Sequence, residues 1–236
     1  MKYAIVTGSA SGIGEAIAKQ LIEKQISVIG LDINESDYTN YICDVSNEKN
    51  VKSVIEEISK KTNCIDYLFN CAGILTIGKP TYIKETPLTL LKAIMKVNFE
   101  SVFIMSQATL PLLKKSHSAS IINISSEQSY LPQLGYMPYA ISKSSINTFT
   151  KCLAQELLFD KILVNSFALG TVKTKILQTF ASLDEEELMY NEKEEKMPLG
   201  MIDSSEIAKF IINFVETNKY ATGEIIKIDS GSSLFY

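Results

Sequence analysis

Tyr139 and Lys143 stand four positions apart, so they share one face of any helix that carries them. A phenol beside an ammonium is the start of an acid–base device. Moving a tyrosine pKa from about 10 toward 7 requires about 4 kcal/mol. An ammonium about 4 Å away, at an effective dielectric near 20, supplies about that much. A tyrosine so tuned gives or takes a proton while a hydride moves to or from a nicotinamide, whose positive ring helps. With 11 Tyr and 23 Lys in 236 residues, one such pair is expected by chance, so it needs company before it carries a function.

The company begins at Gly8, Gly12 and Gly14, three of only 11 glycines, gathered within seven positions. They lie between a short apolar run and an amphipathic stretch. In that setting glycines let a strand-to-helix turn approach a pyrophosphate, and the helix N–H groups receive it. Thr7, Ser9 and Ser11 add hydroxyls. The spacing is not GxGxxG, so this is not the common dinucleotide fingerprint, and a merely tight turn is the plainer alternative. Asp32 follows Gly14 by 18 residues, close to the ~20-residue offset at which an acidic side chain takes ribose hydroxyls. A carboxylate there accepts from a 2′-OH and repels a 2′-phosphate. Every basic residue is Lys and none flanks Asp32, so the planar fork that usually meets a phosphate is missing. The pattern favours NAD over NADP.

The elements that must position these residues can be read from periodicity. Short apolar runs at Tyr3–Thr7, Ser27–Leu31, Tyr41–Cys43, Asp66–Asn70, Ser120–Ser125, Ile162–Phe167 and Ile225–Ile228 read as strands. Amphipathic stretches at Ile13–Lys24, Glu48–Lys61, Leu88–Lys115, Tyr136–Phe159 and Ser204–Thr217 read as helices between them. This alternation predicts an α/β fold: a single doubly wound domain with a seven-stranded parallel sheet and helices on both faces. The link from Asp32 to Asp44 is too short for a crossover helix and is expected to be a loop. The charge-rich stretch after the sixth strand is expected to be either a substrate lid or a solvated surface segment. We divide the domain into a cofactor-binding and catalytic part (1–170), the lid (171–203) and a last helix and strand (204–236).

Composition excludes several classes. A net charge of −4 argues against nucleic acid as a partner. The only histidine is His117, in a polar turn, so no two-His metal site can form, and no Arg finger exists. The four cysteines (Cys43, Cys64, Cys71, Cys152) show no CxxC spacing and suit reduced thiols. No targeting segment or membrane span is evident, so a cytoplasmic protein, mature from residue 1, is expected.

Six segments in order resemble the short-chain dehydrogenase/reductase (SDR) family over essentially the whole length. Thr7-Gly8-Ser9-Ala10-Ser11-Gly12-Ile13-Gly14 is similar to its TGxxxGIG cofactor loop, and Asp44-Val45 to the pair that meets adenine. Asn70-Cys71-Ala72-Gly73 resembles its NNAG turn, with Cys71 replacing Asn; Cys71 reads as a small apolar filler. Asn98 matches the Asn that holds a proton-relay water, Ser126 lies 13 residues before Tyr139 as the family spacing requires, and Tyr139-Ala140-Ile141-Ser142-Lys143 matches YxxSK. The resemblance implies that Ser126 bonds the substrate oxygen, Tyr139 is the acid/base, and Lys143 holds ribose and tunes Tyr139. It also implies that Val172 and Thr174 meet the nicotinamide amide. The sequence departs from the family at Leu169-Gly170, where Pro-Gly is usual, and at Asp229-Ser230-Gly231, where Asp-Gly-Gly is usual.

The implied function is an NAD-linked oxidoreductase acting on a small secondary alcohol or ketone; a noncatalytic dinucleotide-binding sensor or scaffold is the alternative. Leu75, Ile77, Leu131, Leu134, Ile176, Leu177 and Phe180 are expected to make the substrate pocket apolar. A dihydrodiol-type cyclic alcohol and a 3-oxoacyl thioester are the two substrate classes considered; reductases of the latter usually prefer NADPH, which Asp32 disfavours. Phe99, Phe103, Ile104 and Met105 read as packing on a long helix of the kind that pairs across subunits in the family. A homotetramer is implied, with a dimer as fallback.

Overall fold

The computed structural model describes residues 1–75, 81–174 and 197–234. β1 (Tyr3–Thr7), β2 (Ser27–Asp32), β3 (Tyr41–Ile42), β4 (Tyr67–Asn70), β5 (Ser120–Ser126) and β6 (Leu163–Leu169) join a last strand, β9 (Ile225–Ile228), in one sheet. Its order is β3-β2-β1-β4-β5-β6-β9, and every neighbouring pair is parallel. The helices are α1 (Gly12–Glu23), α2 (Glu48–Lys61), α3 (Leu88–Met95), α4 (Ser101–Leu113), α5 (Met137–Glu156) and α6 (Ser204–Thr217). They cover both faces, which is why the strands are apolar at successive rather than alternate positions. In β1, Ile5 belongs to the core formed with Val51 and Ile55 of α2 and Met105 of α4. Its neighbours Ala4 and Val6 belong to the opposite core, with Ile17 and Leu21 of α1 and Ile207 and Ile211 of α6. This is the doubly wound, Rossmann-like sheet that the alternation predicts.

Three features differ from the sequence reading or sharpen it. The stretch Leu88–Lys115 is not one helix. A π-helical turn, Lys96–Glu100, joins α3 to α4, and the Ser101 N–H reaches back to the Lys96 carbonyl. The wide turn sets Asn98, fully buried, against Ile74. A short ladder between β7 (Val172–Lys173) and β8 (Ile202–Asp203) was not anticipated, because two-residue strands leave no periodic signal. The loop after Asp32 is a loop as expected, folded tightly over β2. Gly30 exchanges hydrogen bonds with Asn40, and a Cβ at Gly30 would stand 1.8 Å from the Tyr38 carbonyl oxygen.

Helix ends follow their capping residues. Asn47 caps α2 by accepting from Lys49 and Asn50 N–H, and Asp203 caps α6 through Ser205 and Glu206 N–H. Ser11 holds the same position on α1 but makes no side-chain cap. No helix among the described residues is long and apolar enough to cross a membrane. The greater part of the expected lid, 175–196, lies outside the described residues, and so do Ile77, Ile176, Leu177 and Phe180.

Candidate active site

From β1 the chain winds outward through β2 and β3, then returns to β4 on the other side of β1. The strand order therefore reverses between β1 and β4, and a crevice opens at their carboxyl ends. A cleft of about 670 Å³ occupies this crevice. Thr7, the last residue of β1, ties its floor together. Its Oγ1 accepts from the Cys71 and Ala72 N–H groups at 3.0 and 3.1 Å.

The glycine loop forms one wall, and each glycine is needed for a different reason. Gly8 has φ +69°, and a Cβ on it would meet the Ala72 backbone at 3.0 Å. Gly12 has φ +59°, with the Thr174 side chain 3.3 Å from a virtual Cβ. Gly14 has an ordinary helical φ, but a Cβ would stand 2.2 Å from the Gly8 carbonyl oxygen, so the loop could not fold onto the first turn of α1. Ser11 and Ile13 line the same wall. Asp32 closes the loop from β2: its Oδ2 accepts from the Ala10 N–H at 3.0 Å and its Oδ1 from the Asn34 N–H at 2.9 Å. Asp44 and Val45 border the same end, Asp44 in a turn where it accepts from both the Ser46 N–H and hydroxyl. Gly73, Val172 and Thr174 complete the cleft toward the other end.

Ser126, Tyr139 and Lys143 meet there. β5 delivers Ser126 at its carboxyl end, and the first two turns of α5 deliver Tyr139 and Lys143 on one face. The Ser126 Oγ accepts from the Gln128 N–H at 3.2 Å, which leaves its hydroxyl proton free to donate, and it is near enough to Tyr139 to act on the phenol. The neighbouring Ser125, the other hydroxyl at this strand end, is turned away: it donates to the Lys143 carbonyl at 3.1 Å. The Lys143 Nζ donates to the Ile124 carbonyl at 2.9 Å and lies 5.6 Å from the Tyr139 ring centroid.

Burial dominates the electrostatics. It pushes the Tyr139 phenol up to about 12; the Ser126 hydrogen bond opposes this, and the Glu127 charge adds to it. Burial draws Lys143 down to about 8, partly offset by Cys71. The depression of Tyr139 toward neutrality expected from the pair is therefore not what these residues produce by themselves, because desolvation outweighs an ammonium that faces a carbonyl. The phenol is protonated at neutral pH. Burial also pushes the Cys71 thiol up to about 12, against the pull of Lys143.

Several expected site residues lie elsewhere. Asn70 points away from the cleft: its Nδ2 donates to Asn123 Oδ1 at 2.8 Å, and Asn123 in turn donates to Thr150 Oγ1 at 2.9 Å, a buried chain through β4, β5 and α5. Asn98 spends its side chain on Ile74, accepting from its N–H at 2.8 Å and donating to its carbonyl at 2.9 Å, and also donates to Ser142 Oγ. That amide has little left for a relay water. Leu75 lines the cleft, but Leu131 does not, and Leu134 is exposed on a separate groove along α5. Gln128 lines the cleft, as expected of the pocket wall Gln128–Leu134, whereas Glu127, buried beside Ser126, was missed because nothing in its spacing marks a carboxylate after a strand.

Comparison with known proteins agrees with this geometry. The short chain dehydrogenase family matches residues 2–185. The 3-oxoacyl-[acyl-carrier-protein] reductase FabG of Buchnera aphidicola (Acyrthosiphon pisum) is 32% identical, covering 97% of this chain and 96% of its own. That of Thermotoga maritima is 29% identical, over 98% and 97%. The ligand-free aldohexose dehydrogenase AldT of Thermoplasma acidophilum superposes with a TM-score of 0.90 at 27% identity, covering 99% of this chain and 94% of that one. ElxO with NADP bound superposes at 0.87 and 26%, covering 99% of each. Matched by the family over residues 2–185 and by a relative 32% identical over nearly its whole length, the chain belongs to the short-chain dehydrogenase family of NAD(P)-binding oxidoreductases.

Proposed function

We propose that this enzyme interconverts a secondary alcohol and a ketone with NAD(H) as the hydride carrier. The observation that carries the reading is that Ser126, Tyr139 and Lys143 open onto the same cleft as the Gly8–Gly14 loop and Asp32. The cleft suits a dinucleotide: Cβ atoms at Gly8 and Gly14 would crowd backbone that must stay close, and the uncapped start of α1 leaves N–H groups for a pyrophosphate. Asp32 would hold the ribose hydroxyls, Asp44 and Val45 the adenine, Lys143 the second ribose, and Val172 and Thr174 the amide. Bound there, the nicotinamide supplies or accepts the hydride.

The chain's own residues handle the proton. In reduction, the Ser126 hydroxyl donates to the substrate carbonyl oxygen and fixes its position. The Tyr139 Oη gives its proton to that oxygen, and the charge of the resulting phenolate is balanced by the Lys143 ammonium. A phenol protonated at neutral pH is already in the form this direction needs. Asn98, committed to Ile74, acts as a positioning residue for the edge of the cleft. The NADP of the ElxO structures is the competing cofactor; Asp32 and the absence of Arg support NAD.

A thermal-shift titration with NADH and NADPH side by side tests the cofactor reading, because a ligand of the folded state raises the midpoint as its concentration passes Kd. A larger shift with NADH is expected. Ketone-dependent NADH oxidation tests the chemistry. Tyr139→Phe should keep the NADH shift and lose turnover by about 10³-fold or more; a variant with near-native rate removes Tyr139 from the mechanism.

A further inference from the structure

Ser126 and Tyr139 lie on different elements, and their mutual placement depends on the register between a strand end and a helix. Ser126 closes β5, whereas Tyr139 and Lys143 are carried by α5. Ser129 ties the two elements together. Its hydroxyl donates to the Ser126 carbonyl at 2.6 Å and accepts from the Asn147 Nδ2 at 2.7 Å. Its own carbonyl accepts from the Ser144 hydroxyl at 2.9 Å. Asn147 follows Lys143 by four positions, as Lys143 follows Tyr139, so the three occupy successive turns of α5. The Asn147 amide is itself oriented by Ser166, whose hydroxyl donates to its Oδ1 at 3.4 Å. A hydroxyl has one proton and two lone pairs, and Ser129 spends the proton on the strand end and a lone pair on the helix. Ser129 and Ser144 line the separate groove along α5 and not the cleft onto which Ser126 and Tyr139 open. Whatever Ser129 does for the reaction it does through Ser126.

We propose that Ser129 is a positioning residue that locks Ser126 onto the helix carrying Tyr139. The lock rests on the oxidoreductase reading for its purpose, but it can be observed without turnover. The rest of the turn has support of its own. The Tyr130 hydroxyl donates to Asp229 Oδ2 at 2.9 Å, and the Tyr130 and Leu131 N–H groups donate to the Glu127 carbonyl. Removing the Ser129 hydroxyl therefore loosens the Ser126 end without releasing the turn. Ser126 is near enough to Tyr139 to act on the phenol, so a shift of the serine registers at the tyrosine. A misplacement of about 1 Å caused by a residue outside the chemistry costs up to about 10²-fold in rate.

The lock is tested by labelling tyrosine with carbon-13 at Cζ and following the Tyr139 resonance, identified among the 11 tyrosines by its loss in Tyr139→Phe. Ser126→Ala should move that resonance. Ser129→Ala should move it in the same direction and add nothing in the Ser126→Ala background, while Ser129→Thr, which keeps the hydroxyl, should hold the wild-type position. NADH-linked reduction of a ketone panel led by cyclohexanone is the second readout. There Ser129→Ala should lower kcat by about tenfold with an unchanged NADH-induced thermal shift, and the loss should vanish in the Ser126→Ala background. Should Ser129→Ala fail to unfold cooperatively, Ser144→Ala, which cuts only the tie to the Ser129 carbonyl, decides through a smaller move in the same direction. A Tyr139 resonance unmoved by Ser129→Ala, or moved equally with and without the Ser126 hydroxyl, overturns the lock. So does a resonance that Ser126→Ala itself leaves in place. The expected moves without turnover of any ketone keep the lock and overturn the oxidoreductase reading. Turnover with an unmoved resonance does the reverse.

Discussion

Burying an ammonium opposes folding, and Lys143 is 5% exposed with the Ile124 carbonyl as its hydrogen-bond partner. Its pKa of about 8, below the ordinary 10.5, corresponds to a cost of about 3 kcal/mol to the folded state wherever the lysine is charged. Lys143→Met should therefore stabilise the fold at pH 7 by about 2 kcal/mol, allowing about 1 kcal/mol for the lost bond to Ile124, while abolishing turnover. The sign follows from proton counting. Between about 8 and 10.5 the unfolded chain holds a proton that the folded chain has released, so wild-type stability rises with pH across that window and the gain from Met falls through zero, leaving only the loss of about 1 kcal/mol for the bond to Ile124. Urea unfolding of both proteins at pH 7 and pH 10 checks it, and an equal gain at both values would remove the burial argument. Asp32 carries a second prediction: Asp32→Ala should reduce NADH over NADPH discrimination by about tenfold or more in thermal-shift or kinetic competition, whereas an unchanged preference would mean another group reads the ribose. Both residues were legible from type and spacing. What spacing could not show is orientation: Asn70 and Asn98 carry the same amide, and only the packed interior decides that they face Asn123 and Ile74 instead of the cleft.

At the scale of elements, α1 ends in a Schellman motif without the residue that usually makes it. Gln25 N–H reaches the Ile22 carbonyl at 2.9 Å and Ile26 N–H the Leu21 carbonyl at 3.0 Å, with Gln25 at φ 62°. A side chain in the left-handed region costs about 1 kcal/mol relative to glycine. Gln25→Gly should therefore raise stability by about 0.5–1 kcal/mol with no change in cofactor affinity, read as a shift in urea midpoint at constant m-value. A loss of stability would mean the Gln25 side chain makes contacts that outweigh the strain. The strands and most helices were readable because an apolar run buried on both faces and a 3.6-residue stripe are local signals. The break at Lys96–Glu100 was not, since no proline or glycine marks it and the pairing of its Asn98 with Ile74 is a tertiary contact that leaves no local signal. Gly30 was overlooked for the same reason: the carbonyl it makes room for comes from a loop eight residues on.

At the scale of the whole molecule, two apolar surfaces stand apart from the cleft. One runs along α4 and α5, where Phe99 and Phe103 pack edge-on or tilted against Phe149 at 6.0 and 5.9 Å, with Phe103 47% and Ile141 42% exposed. The other lies at the β9 edge and α6, where Phe210 packs on Phe167 yet stays 51% exposed beside a β9 edge that is unpaired among the described residues. A monomer leaves both in water, and an unpaired sheet edge invites pairing with another chain. Two separate self-complementary faces on one subunit close a tetramer with dihedral symmetry, whereas one alone closes a dimer. Sedimentation should therefore report a tetramer at micromolar concentration. Phe103→Glu with Ile141→Glu should yield dimers held through the β9 face, and adding Phe210→Glu should yield monomers with a lower thermal midpoint. A monomeric wild type would mean that both faces are solvated as they stand. Dimers already in wild type, dissociated by the α4–α5 pair alone, would assign assembly to that face and leave the β9 edge without a partner.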